Sequence, residues 1–371
     1  MRFIATADWQ LGMTAHFLRE DARARFHQAR LDAVERIGQL AREHEAALVA
    51  VGGDVFESNQ LNRSILYQAF EAFRACPVPL VLLPGNHDPL DASSIYRSSV
   101  FQDRCPPHVH VITDSQPVEV VPGVEVAGAP WRSKRPARDL VAETCSQLPA
   151  VPNGRHRLLL GHGATSGLSP DRESLAVIDD KTLTRHIEER VIDFAVLGDR
   201  HSTTEITPHI WYPGTPEVTD RRETDPGNAL LVELGDAMPH VEVLKTGRWT
   251  FRTVEETLMG KSDIDRLAAR LDAVSGKDRT ALWLILRGAL SMTDHVDLEA
   301  RLAEREPLFA RLGQWRRHTD LAMLPEADDF TGLGLTGFAS LALTELREAA
   351  ADDEVARDAL ALLYRLAGDG A

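Results

Sequence analysis

The chain has 371 residues, with 41 Lys and Arg against 56 Asp and Glu, and a formal charge of −15. That length allows one catalytic domain of average size with one or two appendages, and the acidic balance argues against a protein that coats nucleic acid through a broad basic face. Cys76, Cys105 and Cys145 are too widely spaced for a disulfide framework or a CxxC metal pair. The start, MRFIATADWQLGM, lacks the apolar core of a signal peptide, and no apolar run is long enough to span a bilayer. A cytoplasmic protein without a membrane partner is therefore expected.

From Arg2 to about residue 245, short apolar runs alternate with helical stretches, the pattern of a sheet layered by helices. The run RFIATAD reads as a strand ending at Asp8. Residues 19–44 read as a helix with Phe26, Ala29, Ala33, Ile37 and Leu40 on one face. Further apolar strands end at Asp54 (ALVAVGGD), Gly85 (PLVLLPG), Gly161 (RLLLG) and Gly198 (DFAVLG), and their composition suits a sheet buried on both faces. More strands are expected near 109–112, 117–128, 209–213, 229–234 and 239–245, with a turn at Asp225-Pro226-Gly227-Asn228.

A second domain, 246–325, reads as a small α+β unit. Its strand-like WTFRTV and TALWLILR bracket a helix that starts at a capping box of Ser262 and Asp265 and turns Ile264, Leu267 and Leu271 inward. A helix over 297–311 and a strand near 318–324 complete it. Pro325 to Gly337 reads as a linker. Within 326–371, Ala339, Leu343 and Leu346, then Val355, Ala359, Leu362 and Leu366, outline a helical hairpin broken near Asp352-Asp353. That hairpin either packs on its own chain or binds a partner.

Five polar clusters sit where apolar strands end: Asp8-Trp9-Gln10, Gly53-Asp54, Gly85-Asn86-His87-Asp88, Gly161-His162-Gly163 and Gly198-Asp199-Arg200-His201. In layered α/β proteins the carboxyl ends of strands form the rim where ligands bind. Asp, Asn and His supply oxygen and imidazole donors suited to Mn²⁺, Mg²⁺, Zn²⁺ or Fe²⁺. One carboxylate can bridge two ions about 3.5–4 Å apart, the spacing that clamps a phosphoryl group. Alone, each cluster has a plainer reading: a turn or N-cap for an Asp, a satisfied core histidine for His162 or His201, a positive-φ turn for Gly-Asn-His-Asp. Together and in this order, they point to a metal-dependent phosphoesterase. Arg132, Lys134, Arg135 and Arg138, and separately Arg221 with Arg222, read either as guides for a nucleic-acid strand or as solvated surface.

The order Asp-x-(His), Gly-Asp, Gly-Asn-His-Asp, Gly-His, (His)-x-His resembles the calcineurin-like metallophosphoesterases. Within them it is similar to the SbcD-type DNA double-strand-break repair exonucleases, through the GDVFESN run after Gly52 and the segment Trp211-Tyr212-Pro213-Gly214-Thr215-Pro216. The likeness covers residues 1 to about 245 by motif and the remainder by layout. It implies an α/β fold: a four-layer α/β/β/α metallophosphoesterase sandwich of mixed sheets over 1–245, a small α+β cap domain and a C-terminal helical hairpin. It implies one ion held by Asp8, Gln10, Asp54 and His201 and a second by Asp54, Asn86, His162 and Asp199, with Asp54 as the bridge. His87 would stand beside the scissile phosphate, and Asp88 would orient His87 through a hydrogen bond.

Gln10 and Asp199 stand where that family has histidines, so the cluster has a third carboxylate and fewer imidazoles. Mn²⁺ or Mg²⁺ is expected over Zn²⁺. The alternative is that Asp199 pairs with an arginine and Gln10 faces solvent. The implied function is a metal-dependent DNA exonuclease or endonuclease working with an SbcC-like coiled-coil ATPase, with a homodimer among its expected assemblies. A phosphoesterase for a small phosphodiester or cyclic nucleotide, and a catalytically weak scaffold for DNA or the ATPase, are the other readings.

Overall fold

The computed structural model describes residues 1–169, 174–235, 238–324 and 336–349, and beyond these Asp353, Val355, Ala356, Ala359, Leu360, Leu362 and Leu363. It divides into two compact units, one of residues 1–16 and 23–249, the other drawn from 17–22 and 250–371. No described helix is long and apolar enough to cross a membrane.

The first unit contains, in chain order, strands β1 (Arg2–Thr6), β2 (Val49–Val51), β3 (Leu80–Leu82), β4 (Val109–Val111), β5 (Val118–Val121) and β6 (Val124–Gly128), then β7 (His156–His162), β8 (Phe194–Gly198), β9 (Thr204–Thr207), β10 (Ile210–Tyr212), β11 (Asn228–Glu233) and β12 (His240–Lys245). Its helices are α1 (Glu20–Glu43), α2 (Arg63–Arg74), α3 (Ser99–Arg104), α4 (Leu140–Ser146) and α5 (Asp180–Glu188). The first turn of α1 groups with the second unit. The strands make two mixed sheets, ordered β12-β11-β1-β2-β3-β4 and β5-β6-β7-β8-β10-β9. Strands β1 to β4 are mutually parallel, as are β6, β7 and β8, while β11 returns antiparallel to β1 from Glu233 opposite Arg2 to Leu230 opposite Ala5.

Period-two alternation along these strands produces the layers. In β1, Ile4 clusters with Val49, Val51, Leu80 and Leu82 beneath Leu31 and Ile37 of α1 and Phe70 and Phe73 of α2. Its neighbours Phe3 and Ala5 point the other way, into an inter-sheet core with Leu158, Leu160, Phe194 and Val196. In β7 and β8, Leu159, Ala195 and Leu197 turn outward to Val141 of α4 and Leu183 of α5. Both faces of each central strand are thus apolar, which is why the runs read as continuous. The four α/β/β/α layers are those the motif order implied. Phe3 meets Phe194 edge-on with centroids 5.6 Å apart. Burying a ring of that size contributes about 1.5–3 kcal/mol, so the pair is a substantial fastener between the sheets.

In the second unit, β13 (Thr250–Leu258), β14 (Thr280–Ser291), β15 (Arg311–Gln314) and β16 (Asp320–Leu324) pair only in parallel, with β14 central. Helices α6 (Lys261–Asp272) and α7 (Met292–Arg305) are the crossovers, and a further helix, α8, spans Phe338–Ala349. Leu282, Leu284 and Leu286 of β14 cluster with Ile264, Leu267 and Leu271 of α6. Trp283, between them in sequence, packs instead against Phe17 and Phe251.

Several local expectations change. The strand expected over 117–128 is a hairpin, β5 and β6, because Pro122-Gly123 turns the chain, with Gly123 at φ 80. The capping box does not form: α6 follows Gly260 with no side-chain cap, and the Asp263 carboxylate accepts from Met259 N at 2.8 Å. The helix expected over 297–311 starts at Met292, where Ser291 caps Asp294 N, and ends at Arg305 before a 3₁₀ turn containing Pro307. Of the expected terminal hairpin, Ala339, Leu343 and Leu346 lie on α8, whereas Asp352 and Leu366 fall outside the described residues, as does the linker over 325–335.

Candidate active site

The parallel strands of both sheets end on one rim, and the two halves touch there. Asp8 follows β1, Asp54 follows β2, the 85–88 loop follows β3, His162 ends β7, and Asp199 follows β8. Asp199 N donates to Asp8 Oδ1 at 2.9 Å, and His162 Nδ1 donates to Gly52 O at 2.9 Å. Asp8, Gln10, Asp54 and Asp199 adopt left-handed backbone, with φ of 54, 43, 51 and 85, four of the seven described non-glycine residues that do so. Each such residue costs of order 1–3 kcal/mol and persists only where its surroundings fix it. Here the bonds from Asp8 N to Gly53 O (3.0 Å) and from Gln10 N to Asp54 O (2.9 Å) hold the two loops together. Arg30 of α1, fully buried, donates to Trp9 O and Glu217 O and so pins the 8–10 loop from below.

His162 is the centre of the cluster. A carbonyl can only accept, so the bond to Gly52 O places a proton on Nδ1 and leaves Nε2 facing the site. Nε2 lies 2.6 Å from Asn86 Oδ1, 3.5 Å from Asp54 Oδ2 and 3.9 Å from Asp199 Oδ1. One nitrogen and three oxygens that converge in this way require a proton or a cation among them. Without a cation, His162 is held well above its ordinary pKa: burial alone would lower it, but Asp54, Asp8 and Asp199 prevail. For Asp54 burial pulls upward, yet His162 and His87 hold it below the usual carboxylate range.

Asp8 supplies the test of fit. It is fully buried, and its Oδ2 has no hydrogen-bond partner among the described residues. Burial above all raises its carboxyl to about 6. Asp8, Asp54 and His162 each offer a ligand atom within 4.8 Å of the others. An unpaired buried carboxylate oxygen beside such donors is costly unless a cation meets it, so the donor set fits a divalent ion.

His201 is held by its Nδ1, which lies 2.9 Å from Glu223 Oε1 and 2.6 Å from Thr219 Oγ1, so that Nε2 points at the side-chain amide of Gln10, 3.3 Å away. Rotating that amide would present Oε1 in place of Nε2. Burial lowers the His201 pKa, but Glu223 and Asp8 carry it up to about 9. Gln10 is 5% exposed and so does not face solvent, and Asp199 pairs with His162 rather than with an arginine among the described ion pairs.

His87 stands at the mouth. Its ring Nδ1 donates to Glu57 O at 3.0 Å, its backbone N donates to Asp54 Oδ1 at 2.9 Å, and Nε2 remains open at 4.0 Å from Asp54 Oδ2. The groove in front holds about 490 Å³ and is lined by Gln10, Glu57, His87, Arg200, His201 and Arg222 among others. A second cavity of about 510 Å³, lined by Arg155, His156 and His209, opens at the opposite strand ends and contains none of the site residues.

Asp88 departs from expectation, since it makes no hydrogen bond to His87. Fully buried, it accepts from Gly85 N (2.8 Å), Phe56 N (3.0 Å) and Tyr96 Oη (2.6 Å), fastening the 85–88 loop to the chain beyond Asp54. Burial first, then Asp54, raises its carboxyl to about 6. The group that orients His87 is the Glu57 carbonyl. Glu57, Thr219, Glu223 and Trp131 were not anticipated as site residues. Trp131 packs edge-on to His162 with centroids 5.7 Å apart and donates from Nε1 to His162 O at 2.8 Å. Glu57 lay within a motif already recognised, whereas nothing in the sequence marks Glu223, which reaches His201 only through the folding of its loop.

A sandwich of two sheets whose common rim gathers carboxylates, imidazoles and amides around a cation-sized space has the form of a metallohydrolase. The family model for calcineurin-like phosphoesterases matches residues 1–232, and the chain belongs to that family. Similar solved structures include TT1561 of Thermus thermophilus, at 14% identity over 66% of this chain and 98% of that one, TM-score 0.43. A dimetal phosphatase from Danio rerio matches at 12% identity over 66% of this chain and 96% of that one, TM-score 0.44. A purple acid phosphatase from yellow lupin (Lupinus luteus) seeds matches at 12% identity over 66% and 51%, TM-score 0.39. No curated protein matches the chain.

Proposed function

We propose that the chain is a divalent-metal-dependent phosphodiesterase that cleaves DNA and serves as the nuclease partner of an SbcC-like coiled-coil ATPase. The observation that carries the phosphodiester reading is the convergence of donors on His162 Nε2, beside the open Nε2 of His87. One ion is assigned to Asp8, Gln10, Asp54 and His201, the other to Asp54, Asn86, His162 and Asp199, and the three carboxylates favour Mn²⁺ or Mg²⁺. Bound there, the ions would polarise the phosphoryl oxygens and offset the charge that grows on them. The remaining work falls to the chain. Glu57 O fixes His87 through Nδ1, so that Nε2 is the atom that gives a proton to the leaving oxygen. Arg200 lines the groove and brings positive charge toward the flanking phosphates, whereas Arg222 on the same wall is paired with Asp220 at 2.9 Å.

DNA as the substrate is supported by GDVFESN and the Trp211–Pro216 segment. A small phosphodiester is the second reading, favoured by the charge of −15 and by a groove whose volume lies in the range of small-ligand sites. The test is hydrolysis of bis(p-nitrophenyl) phosphate, a cyclic nucleotide and end-labelled linear DNA with Mn²⁺ at equal enzyme concentration. The highest kcat/KM is expected for DNA, with a rate that changes when the ATPase and ATP are added. Hydrolysis confined to the small substrates would replace DNA by the second reading, and no hydrolysis of any substrate would overturn the enzymatic reading.

A further inference from the structure

We propose that the loop following β6 is a track for a phosphodiester backbone, with Lys134 and Arg135 as its phosphate contacts; the inference rests on the phosphodiesterase reading above. The start of the loop is locked to the site. Trp131 N donates to Pro84 O at 3.1 Å, Trp131 O accepts from Leu90 N at 2.8 Å, and the indole Nε1 donates to His162 O at 2.8 Å. Those bonds join it to both ends of the loop that carries Asn86 and His87, and to the backbone of His162. A chain extends at most about 3.3–3.6 Å per residue, so Lys134, three residues on, has its Cα within about 11 Å of that of Trp131.

Charge along the loop is one-sided. Residues 132–138, RSKRPAR, contain four cations and no carboxylate, in a chain whose net charge is −15. Two of the cations are committed: Arg132 donates to Thr113 O at 2.9 Å, and Arg138 pairs with Glu143 at 3.0 Å. Lys134 and Arg135 are exposed and have no ion-pair partner among the described residues. Trp131 is 8% exposed and is spent on His162, so the loop offers no stacking surface for a base. Contacts made by an ammonium and a guanidinium to phosphates position a strand without reading its sequence. A local basic strip beside an acidic site also concentrates a polyanion where the chemistry occurs. A small diester, with its single phosphate in the site, has no second phosphate for the loop to hold.

The experiment compares the metal-loaded full chain with the Lys134→Ala/Arg135→Ala double variant. The control is Arg42→Ala/Arg104→Ala, exposed positions at the ends of α1 and α3, which lead into the opposite ends of the strands. Binding of a fluorescein-labelled phosphorothioate duplex is followed by anisotropy across salt, and kcat/KM is measured for DNA and for bis(p-nitrophenyl) phosphate. Each phosphate contact contributes about 0.9 to the slope of log affinity against log salt on duplex DNA. Losing two contacts should therefore shrink the deficit of the double variant about tenfold between about 50 and about 200 mM salt. The ratio of DNA to small-diester kcat/KM should also fall in the double variant and hold in the control. Equal salt slopes, or an equal loss on both substrates, would overturn the track while leaving the DNA reading intact. A parent protein that hydrolyses the small diester but neither binds nor cuts DNA would overturn the track and the DNA reading together, with the phosphodiesterase reading left standing.

Discussion

Gly198→Ala is the sharpest probe of how the two sheets meet. A Cβ at residue 198 would lie 2.1 Å from Gly52 O and 2.6 Å from His162 Nδ1. Carbon–oxygen contacts ordinarily begin near about 3.3 Å, so the rims must part by roughly 1 Å. The same movement strains the bond from His162 Nδ1 to Gly52 O that sets the imidazole. A displacement of about 1 Å at a reacting centre costs on the order of 10²-fold in rate, or about 2.7 kcal/mol. Crowding a packed interior costs about 1–3 kcal/mol of stability in addition. The assay is kcat on bis(p-nitrophenyl) phosphate at saturating Mn²⁺, with the unfolding midpoint measured alongside. Gly235→Ala, where a Cβ would meet nothing within 4 Å, is the matched control and should be neutral. Turnover and midpoint in Gly198→Ala equal to those of the parent would refute the close approach of the rims.

Three further outcomes are expected. His87→Ala should lower kcat by about 10²–10⁴-fold while bound metal, measured by mass spectrometry, stays at the parental level; equal loss of metal would contradict its role as proton donor. Glu223→Ala should weaken metal affinity by about 10–100-fold in equilibrium dialysis, because His201 loses the carboxylate that aims it. The stabilisation gained on adding Mn²⁺ to chelator-treated protein should be small near pH 5 and grow toward pH 9, read as the shift in unfolding midpoint. The signs agree on this direction. Asp8, at about 6 when folded against an ordinary 3.8, carries an ionisation penalty that is absent below the lower value and complete above the higher, and a cation relieves it. His201, at about 9 against 6.5, stabilises the metal-free fold while protonated, and that contribution is lost as pH rises through about 9. Metal must displace the same proton, so binding strengthens as pH climbs.

The layers and the rim were legible because they rest on strand-length apolar runs ending in polar clusters, a signal carried by several residues at once. The helix of α1 was legible for the same reason: its apolar face repeats over six turns from Glu20 to Glu43. Short elements were harder. Helices α4 and α5 begin at N-caps Asp139 and Asp179, whose side chains accept from the following amides, yet a single Asp is a weak mark without a long periodic run behind it. The split of 117–128 hinged on one Pro-Gly pair inside an otherwise strand-like stretch. At the site, the candidate ligands were readable one by one, but the partners that aim them were not. Glu57 O, Gly52 O and Glu223 act through backbone or through residues distant in sequence, and their pairing exists only once the loops have closed. Asp88 shows the converse: adjacency to His87 suggested a contact, and burial sent its carboxylate to Tyr96 and Phe56 instead.

The return of β11 to the outer edge of β1 bears on how the site comes into being during synthesis. The first sheet supplies Asp8, Asp54, Asn86 and His87 early in the chain, yet its β1 edge is covered only when residues 230–233 arrive to pair with 2–5. By then the segment bearing His162, Asp199 and His201 has already been made. A nascent chain therefore carries every candidate ligand before that edge of β1 is covered. Strand β11 is in turn covered by β12, whose residues 240–245 pair with 228–233, so this side of the first sheet is completed only after the loops of both sheets exist.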